Sequence, residues 1–214
     1  MRLYSYFYSS TSYRVRIALA LKGLAFDILP VNLRADAQRD PEYLARNPSG
    51  GVPLLQDDDF SLSQSLAIID YLDQTHPQPR LIPLEPRLRA RVLEFANGIA
   101  CDIHPLNNLR VLRYLQRELG VDDAARQRWY AHWVAEGLGA AEALVQRHAG
   151  AASSYCFGDA PSLADVCLVP QVANAERMHC DLEPYPRLRA IVAHCREHAA
   201  FQAAAPSRQP DFTG

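Results

Sequence analysis

The N-terminal stretch constrains the fold more than any other part of the chain. An apolar segment, Arg2–Phe7, leads into a hydroxyl cluster, Ser9-Ser10-Thr11-Ser12, and then into Tyr13-Arg14-Val15-Arg16-Ile17-Ala18-Leu19. Val15, Ala18 and Leu19 recur at helical spacing, which predicts a helix over Thr11–Lys22 with Gly23 as its stop. A second apolar segment, Phe26–Val31, follows at once. Strand, helix and strand in such close succession imply parallel pairing through a right-handed crossover. That excludes an all-β chain and an all-helical one.

The pattern continues with a short helix at Asp40–Arg46, ended by Asn47-Pro48. Val52–Gln56 and Phe60–Leu62 flank Asp57-Asp58-Asp59 and predict an antiparallel hairpin. Gln64–Thr75 then reads as a helix with Leu66, Ile69 and Leu72 inward. The order βαβαββα is thioredoxin-like. A proline-rich link, His76-Pro77-Gln78-Pro79-Arg80, closes this first domain, assigned to residues 1–80. From Pro86 onward the pattern is helical, with helices expected near 86–118, 122–148, 161–177, 185–196 and 198–204. These make an all-α domain over residues 85–214. Ser162-Leu163-Ala164-Asp165 has the spacing of a capping box and is expected to start a helix rather than to form a catalytic pair.

Bulk properties narrow the function classes. The chain has 214 residues, 49% of them hydrophobic, which is enough for a sizeable core. A formal net charge of −2 offers no broad basic surface for nucleic acid and no polybasic membrane tail. No apolar run approaches the ~18 residues that would span a bilayer. The sequence opens directly into a strand pattern, without a charged leader and cleavable apolar segment. Its five cysteines (Cys101, Cys156, Cys167, Cys180, Cys195) are odd in number and lack a CxxC pair. That disfavours a disulfide framework and a zinc site, and favours buried, reduced thiols in a cytoplasmic protein.

Three motifs carry chemistry. The first turn of a helix exposes unpaired N–H groups and a partial positive charge. Ser9, Ser10 and Thr11 at such a start can cap the helix or donate to a bound anion, a thiolate included. Pro53, at the head of a strand, cannot donate to the ladder, and a cis Val52-Pro53 bond would turn the Val52 backbone toward a peptide-like ligand. Gln64-Ser65 is a second helix start, bearing an amide and a hydroxyl suited to a carboxylate. Two anion-binding helix starts and one outward-turned strand in a single small domain suit a zwitterionic peptide with a thiol.

On these residues the chain resembles the glutathione S-transferases, and within them the zeta class, which contains the maleylacetoacetate isomerases. The likeness rests on the segment Ser9–Leu19, on Asn47-Pro48, Val52-Pro53 and Gln64-Ser65. It also rests on Cys101-Asp102-Ile103-His104-Pro105-Leu106-Asn107-Asn108-Leu109-Arg110 and on Leu168-Val169-Pro170-Gln171-Val172-Ala173-Asn174-Ala175-Glu176-Arg177. It runs over essentially the whole chain. Thr11 stands where the family usually has cysteine, Tyr13 where it has tryptophan, and Gly51 where glutamine or lysine is common.

The resemblance implies glutathione S-transferase architecture, glutathione as cofactor and a homodimer acting on a small maleyl keto acid. The implied reaction turns a cis double bond into the trans fumaryl product. Ser9, Ser10 and Thr11 would lie at the thiol, Val52 would pair with the glutathione backbone, and Gln64 and Ser65 would hold its γ-glutamyl carboxylate. Gln38 matches a glutamine that reaches glutathione, while His104, Asn108 and Arg110 match positions lining the site from the helical domain. Arg14, Arg110 and Arg177 are candidates for capturing the substrate carboxylates, since arginine binds them bidentately. Maleylacetoacetate is the preferred substrate. A shorter, more polar maleylpyruvate would favour further cations, whereas Tyr8, Leu109 and Glu176 are neutral or acidic. A general glutathione transferase or a non-catalytic glutathione-binding protein is the third reading.

Overall fold

Strand β1 (Arg2–Ser5) occupies the second place in a four-stranded sheet, in a computed structural model that describes residues 1–150 and 153–213. The sheet order is β2-β1-β3-β4, with β2 at Asp27–Pro30, β3 at Leu54–Asp57 and β4 at Phe60–Ser63. β1 runs parallel to β2, pairing Leu3 with Ile28, and antiparallel to β3, pairing Leu3 with Leu55. β3 and β4 form the expected hairpin, with Leu55 opposite Leu62. The crossover helix α1 spans Ser10–Leu21, α2 spans Pro41–Arg46 and α3 spans Ser65–Thr75. Two 3-10 turns, Leu33–Ala35 and Ala37–Arg39, precede α2 and have no periodic signal in the sequence.

The chain forms two units. The first is Met1–Leu81 together with the residues from Arg196 onward, and the second is Ile82–Cys195. The sequence reading carried the second domain to residue 214. The last segment instead joins the first unit, because α9 (Ala199–Ala204) packs along α1. Helix α1 is therefore buried nearly all round, including Val15, Ile17, Ala18 and Leu19 but also Arg14 and Arg16. In α3, Ile68, Ile69 and Leu72 are buried and Leu66 is only half-buried, so its inner face is turned slightly from the expected one. At the far ends of these helices, Lys22 and Asp73 form an ion pair of 2.7 Å with both side chains out of solvent. Lys22 Nζ also donates to the carbonyls of His76 and Pro79, and Asp73 accepts the Leu81 amide. The proline-rich link is thus anchored to the sheet domain.

The second unit is helical. Helix α4 (Pro86–Asn97) starts under a Glu85 cap that accepts from Arg87 N and Leu88 N. The single helix expected over 86–118 is broken. A π-helical turn, Gly98–Ile103, and a short non-helical stretch separate α4 from α5 (Leu109–Arg117). Pro105 explains part of the break, because it has no N–H to continue a helix and its ring crowds the preceding turn. The long α6 (Asp123–His148) is capped by Asp122, α7 (Leu163–Arg177) by the predicted Ser162–Asp165 box. Buried Glu142 of α6 accepts the amides of Arg187 and Leu188 at the start of α8 (Pro186–Glu197). Cys156, Cys167 and Cys195 are buried as expected, but Cys101 is exposed.

Gly137 of α6 lies against the π-helical turn: a Cβ there would sit 2.1 Å from Ile103 Cγ1. Gly137→Ala is expected to destabilise the helical unit by about 1–3 kcal/mol through overpacking, although alanine outranks glycine in helices by roughly 1 kcal/mol. Ile103→Ala should cost less in the Gly137→Ala background than alone, because it removes both Cγ1 and Cδ1, which lie 2.1 and 2.3 Å from the position of the new methyl. Denaturant midpoints of the four proteins measure this, and additive effects would mean that the two segments do not meet at these atoms.

Candidate functional site

The turn after β1 delivers Ser9 as the N-cap of α1. Its amide donates to Tyr6 O, and its Oγ accepts the Ser12 amide at 3.2 Å. Ser9 Oγ lies 2.9 Å from Thr11 Oγ1, and Thr11 Oγ1 donates to Val52 O at 2.9 Å. A carbonyl only accepts, so the Thr11 proton lies on Val52 and the Ser9 hydroxyl must be the donor to Thr11. This gives a directed chain, Ser9 to Thr11 to Val52. Ser10 is buried beside it at the first helical position. The structure thereby joins Ser9, Thr11 and Val52, which come from α1 and from the loop before β3.

That loop is held from below. Asn47 Nδ2 and the Tyr43 hydroxyl both donate to Gly51 O, and Asn47 Oδ1 accepts from Ser49. The Val52–Pro53 peptide is cis. Burial raises the Tyr43 pKa above its ordinary value, so this hydroxyl stays a donor at neutral pH. Gln38, in the second 3-10 turn, is buried, and its Nε2 donates to Asp36. Its Oε1 has no partner among the described residues.

Gln64 precedes α3 with φ +73°, in the region that favours glycine, and its side chain is exposed and caps nothing. Such backbone costs of order 1–3 kcal/mol and concentrates at ligand clamps. Ser65 is buried, and its Oγ accepts from Arg14 Nη1 at 3.4 Å. Arg14 was expected to be a cation for substrate carboxylates. It is 1% exposed and turned toward α3, so capture of a substrate from solution does not suit it. Its neighbour Arg16 is structural as well, donating to Ser5 Oγ, Tyr6 O, Phe7 O and Ala204 O.

In the helical unit, His104 Nε2 lies 3.2 Å from Asn108 Nδ2. The π-helical turn and the break after it set their spacing. Asn108 also caps α5 by accepting the Arg110 amide, and the Arg110 side chain is exposed. Arg177, exposed at the end of α7, donates to Asn174 Oδ1 at 3.0 Å. Its charge opposes the burial that pushes buried Tyr130 up to about 12.

Residues 1–74 match the family model for the glutathione S-transferase N-terminal domain, and residues 123–194 match that for the C-terminal domain. The chain belongs to the glutathione S-transferase family. It is 49% identical to maleylacetoacetate isomerase of Pseudomonas aeruginosa over 214 residues, 99% of this chain and 98% of that one. Among solved structures it matches the holo form of a maleylpyruvate isomerase, described as a bacterial zeta-class member, with a TM-score of 0.97, 44% identity and full coverage of both chains. It also matches maleylacetoacetate isomerase of Methylobacterium extorquens AM1 with bound malonate and glutathione, with a TM-score of 0.96, 37% identity and full coverage of both. The zeta-class resemblance and the two-part fold expected from the sequence are thereby established for this chain.

The sequence pointed to Ser9, Thr11, Val52 and Ser65 one at a time, but not to the bonds between them. Thr11–Val52 and Arg14–Ser65 are 41 and 51 residues apart, and no local pattern announces either pair. With this directed chain, Ser9→Ala should cost about 1–2 kcal/mol through the lost cap, and Thr11→Val about 1 kcal/mol. Because they share one network, the double variant should fall short of the sum by about 0.5 kcal/mol or more. Strict additivity in denaturant unfolding would break the chain into separate contacts.

Proposed function

We propose that this protein is a glutathione-dependent cis–trans isomerase that converts maleylacetoacetate to fumarylacetoacetate in tyrosine and phenylalanine catabolism. The observation that carries the reading is one sheet domain with two helix starts of this kind. One is lined by Ser9, Ser10 and Thr11 and tied to the Val52 carbonyl; the other has Ser65 backed by buried Arg14. The residues present fit glutathione. Unpartnered donors remain on Arg14 at Nε and Nη2, and an unpartnered acceptor remains at Gln38 Oε1, among the described residues. Ser9, Ser10 and Thr11 would stand at the thiol, Val52 and Gln38 along the peptide, and Gln64 and Ser65 at the γ-glutamyl carboxylate. His104, Asn108 and Arg110 are further candidates for contacts with glutathione.

Bound glutathione supplies a thiol whose ionised form adds reversibly to the conjugated double bond. Holding a thiol ionised at neutral pH needs its pKa lowered by about 1–2 units from ~8.5, or about 1.4–2.7 kcal/mol. A helix start with hydroxyl donors supplies an effect of that order. Ser9 is the donor best placed for this. Its proton can turn from Thr11 at the loss of one neutral hydrogen bond, while its oxygen keeps the Ser12 amide. Thr11 would have to release Val52 O, so its hydroxyl serves to orient that carbonyl. Arg110 and Arg177 are exposed, and a guanidinium can bind a carboxylate bidentately, which suits them to substrate carboxylates.

Maleylpyruvate is the second substrate to consider, since the holo maleylpyruvate isomerase superposes so closely. Tyr8, Leu109 and Glu176 add no cation for that shorter dianion. A cytoplasmic homodimer is the working form in this reading; no helix among the described residues is long and apolar enough to cross a membrane.

With purified protein, isomerisation should require added glutathione and should be faster, by kcat/KM, on maleylacetoacetate than on maleylpyruvate. Turnover without any thiol would overturn the mechanism, and the reverse preference would make maleylpyruvate the substrate. Arg177→Met should raise KM for the maleyl substrate roughly tenfold or more, the weight of a hydrogen bond to a charged group, with KM for glutathione within about twofold. Wild-type kinetics in that variant would place the carboxylate site elsewhere.

A further inference from the structure

Arg14 is among the largest fully buried side chains of the protein, yet it is under-satisfied. Nη1 donates to Ser65 Oγ, while Nε and Nη2 donate to nothing among the described residues. No carboxylate pairs with it among those residues. An arginine is always charged, and a buried charge normally has a partner. The contact also has a direction. A guanidinium only donates, so Ser65 Oγ must accept from Arg14, which leaves the Ser65 proton for another acceptor. Ser65 is the first residue of α3, an eleven-residue helix whose positive end lies there, beside the strained backbone of Gln64.

We propose that buried Arg14 is a positioning residue: it sets the Ser65 hydroxyl as a donor toward the ligand and makes the start of α3 selective for a carboxylate. The proposal rests on the reading that glutathione binds to this domain, and assigns the balancing negative charge to its γ-glutamyl carboxylate. Arg14 then acts on cofactor affinity and selectivity, not on the maleyl substrate. Lysine is a poor replacement, because a single ammonium group does not reproduce the fork that reaches Ser65 and still offers further donors.

The test compares glutathione with 4-aminobutyryl-cysteinyl-glycine, which lacks only that carboxylate, by calorimetric titration of the intact protein. Wild type should bind glutathione at least tenfold more tightly than the analogue. In Arg14→Met, glutathione should weaken about tenfold or more, while the analogue changes by less than about twofold. Arg14→Lys should fall between the two. Equal weakening of both peptides would mean a purely structural arginine, and unchanged affinities would mean no role; either result overturns the proposal alone. Wild type that binds neither peptide overturns the cofactor reading and the proposal with it. Should Arg14→Met fail to fold, the Arg14 Nε–H resonance of wild type, assigned from its loss in Arg14→Lys, decides the matter. It should shift on adding glutathione and stay in place with the analogue, and a resonance that glutathione leaves unmoved overturns the proposal.

Discussion

Arg16 joins three parts of the first unit that are far apart in sequence. Its guanidinium bonds the Ser5 hydroxyl at the end of β1, the carbonyls of Tyr6 and Phe7 in the following turn, and the Ala204 carbonyl of α9. Burial lowers its pKa to about 10, which still leaves it protonated at neutral pH. Tyr6 O, one of its acceptors, also receives the amide of Ser9. The turn that presents Ser9 is thus fixed from beneath by a charge that the C-terminal segment helps to satisfy. Asp211 adds to this by accepting the Phe7 amide, and the Tyr13 hydroxyl reaches Phe201 O. A loss of the last residues would therefore be felt at the hydroxyl cluster, although none of them belongs to it.

A second buried charge organises the other end of α1. Removing Lys22 and Asp73 from water is costly, and such a pair holds only when the remaining donors and acceptors are also used. Here they are, through the His76 and Pro79 carbonyls and the Leu81 amide. The contact fixes where the proline-rich link leaves the sheet domain. Breaking one partner would strand the other out of solvent without its counter-charge, which is strongly destabilising.

The sheet domain was legible because its signals are local. Alternation, helix periodicity and turn residues gave every strand and helix of the order βαβαββα within two residues or so. The helical unit was read less well at 86–118, where apolar periodicity continues through Pro105 and hides the break. A π-helical turn shifts the register by one residue, which a 3.6-residue pattern does not reveal. The place of the last segment was not legible at all. Residues 198–204 look like any short helix, and they return to the first unit because Ala200, Phe201 and Ala204 are buried and the Phe201 and Ala204 carbonyls meet donors of α1. The candidate site was read as three separate helix starts and loops; the bonds joining them span the domain.

Arg14 and Arg16 make this last point most sharply. They sit two positions apart on one helix, so they face in nearly opposite directions, and both are 1% exposed. From sequence they are equivalent, and either fits a substrate-binding cation. In the fold one side meets a cluster of carbonyls and the other meets a helix start. Arg16 uses all three of its nitrogens within the protein, whereas Arg14 uses one. Equal burial with unequal satisfaction separates their roles. A charge whose donors are all used by its own chain contributes to the fold whether or not anything binds. A charge left with free donors at the positive end of a helix costs stability unless a ligand completes its shell. That difference divides the two arginines into one that holds the domain together and one that the domain holds ready for an anion.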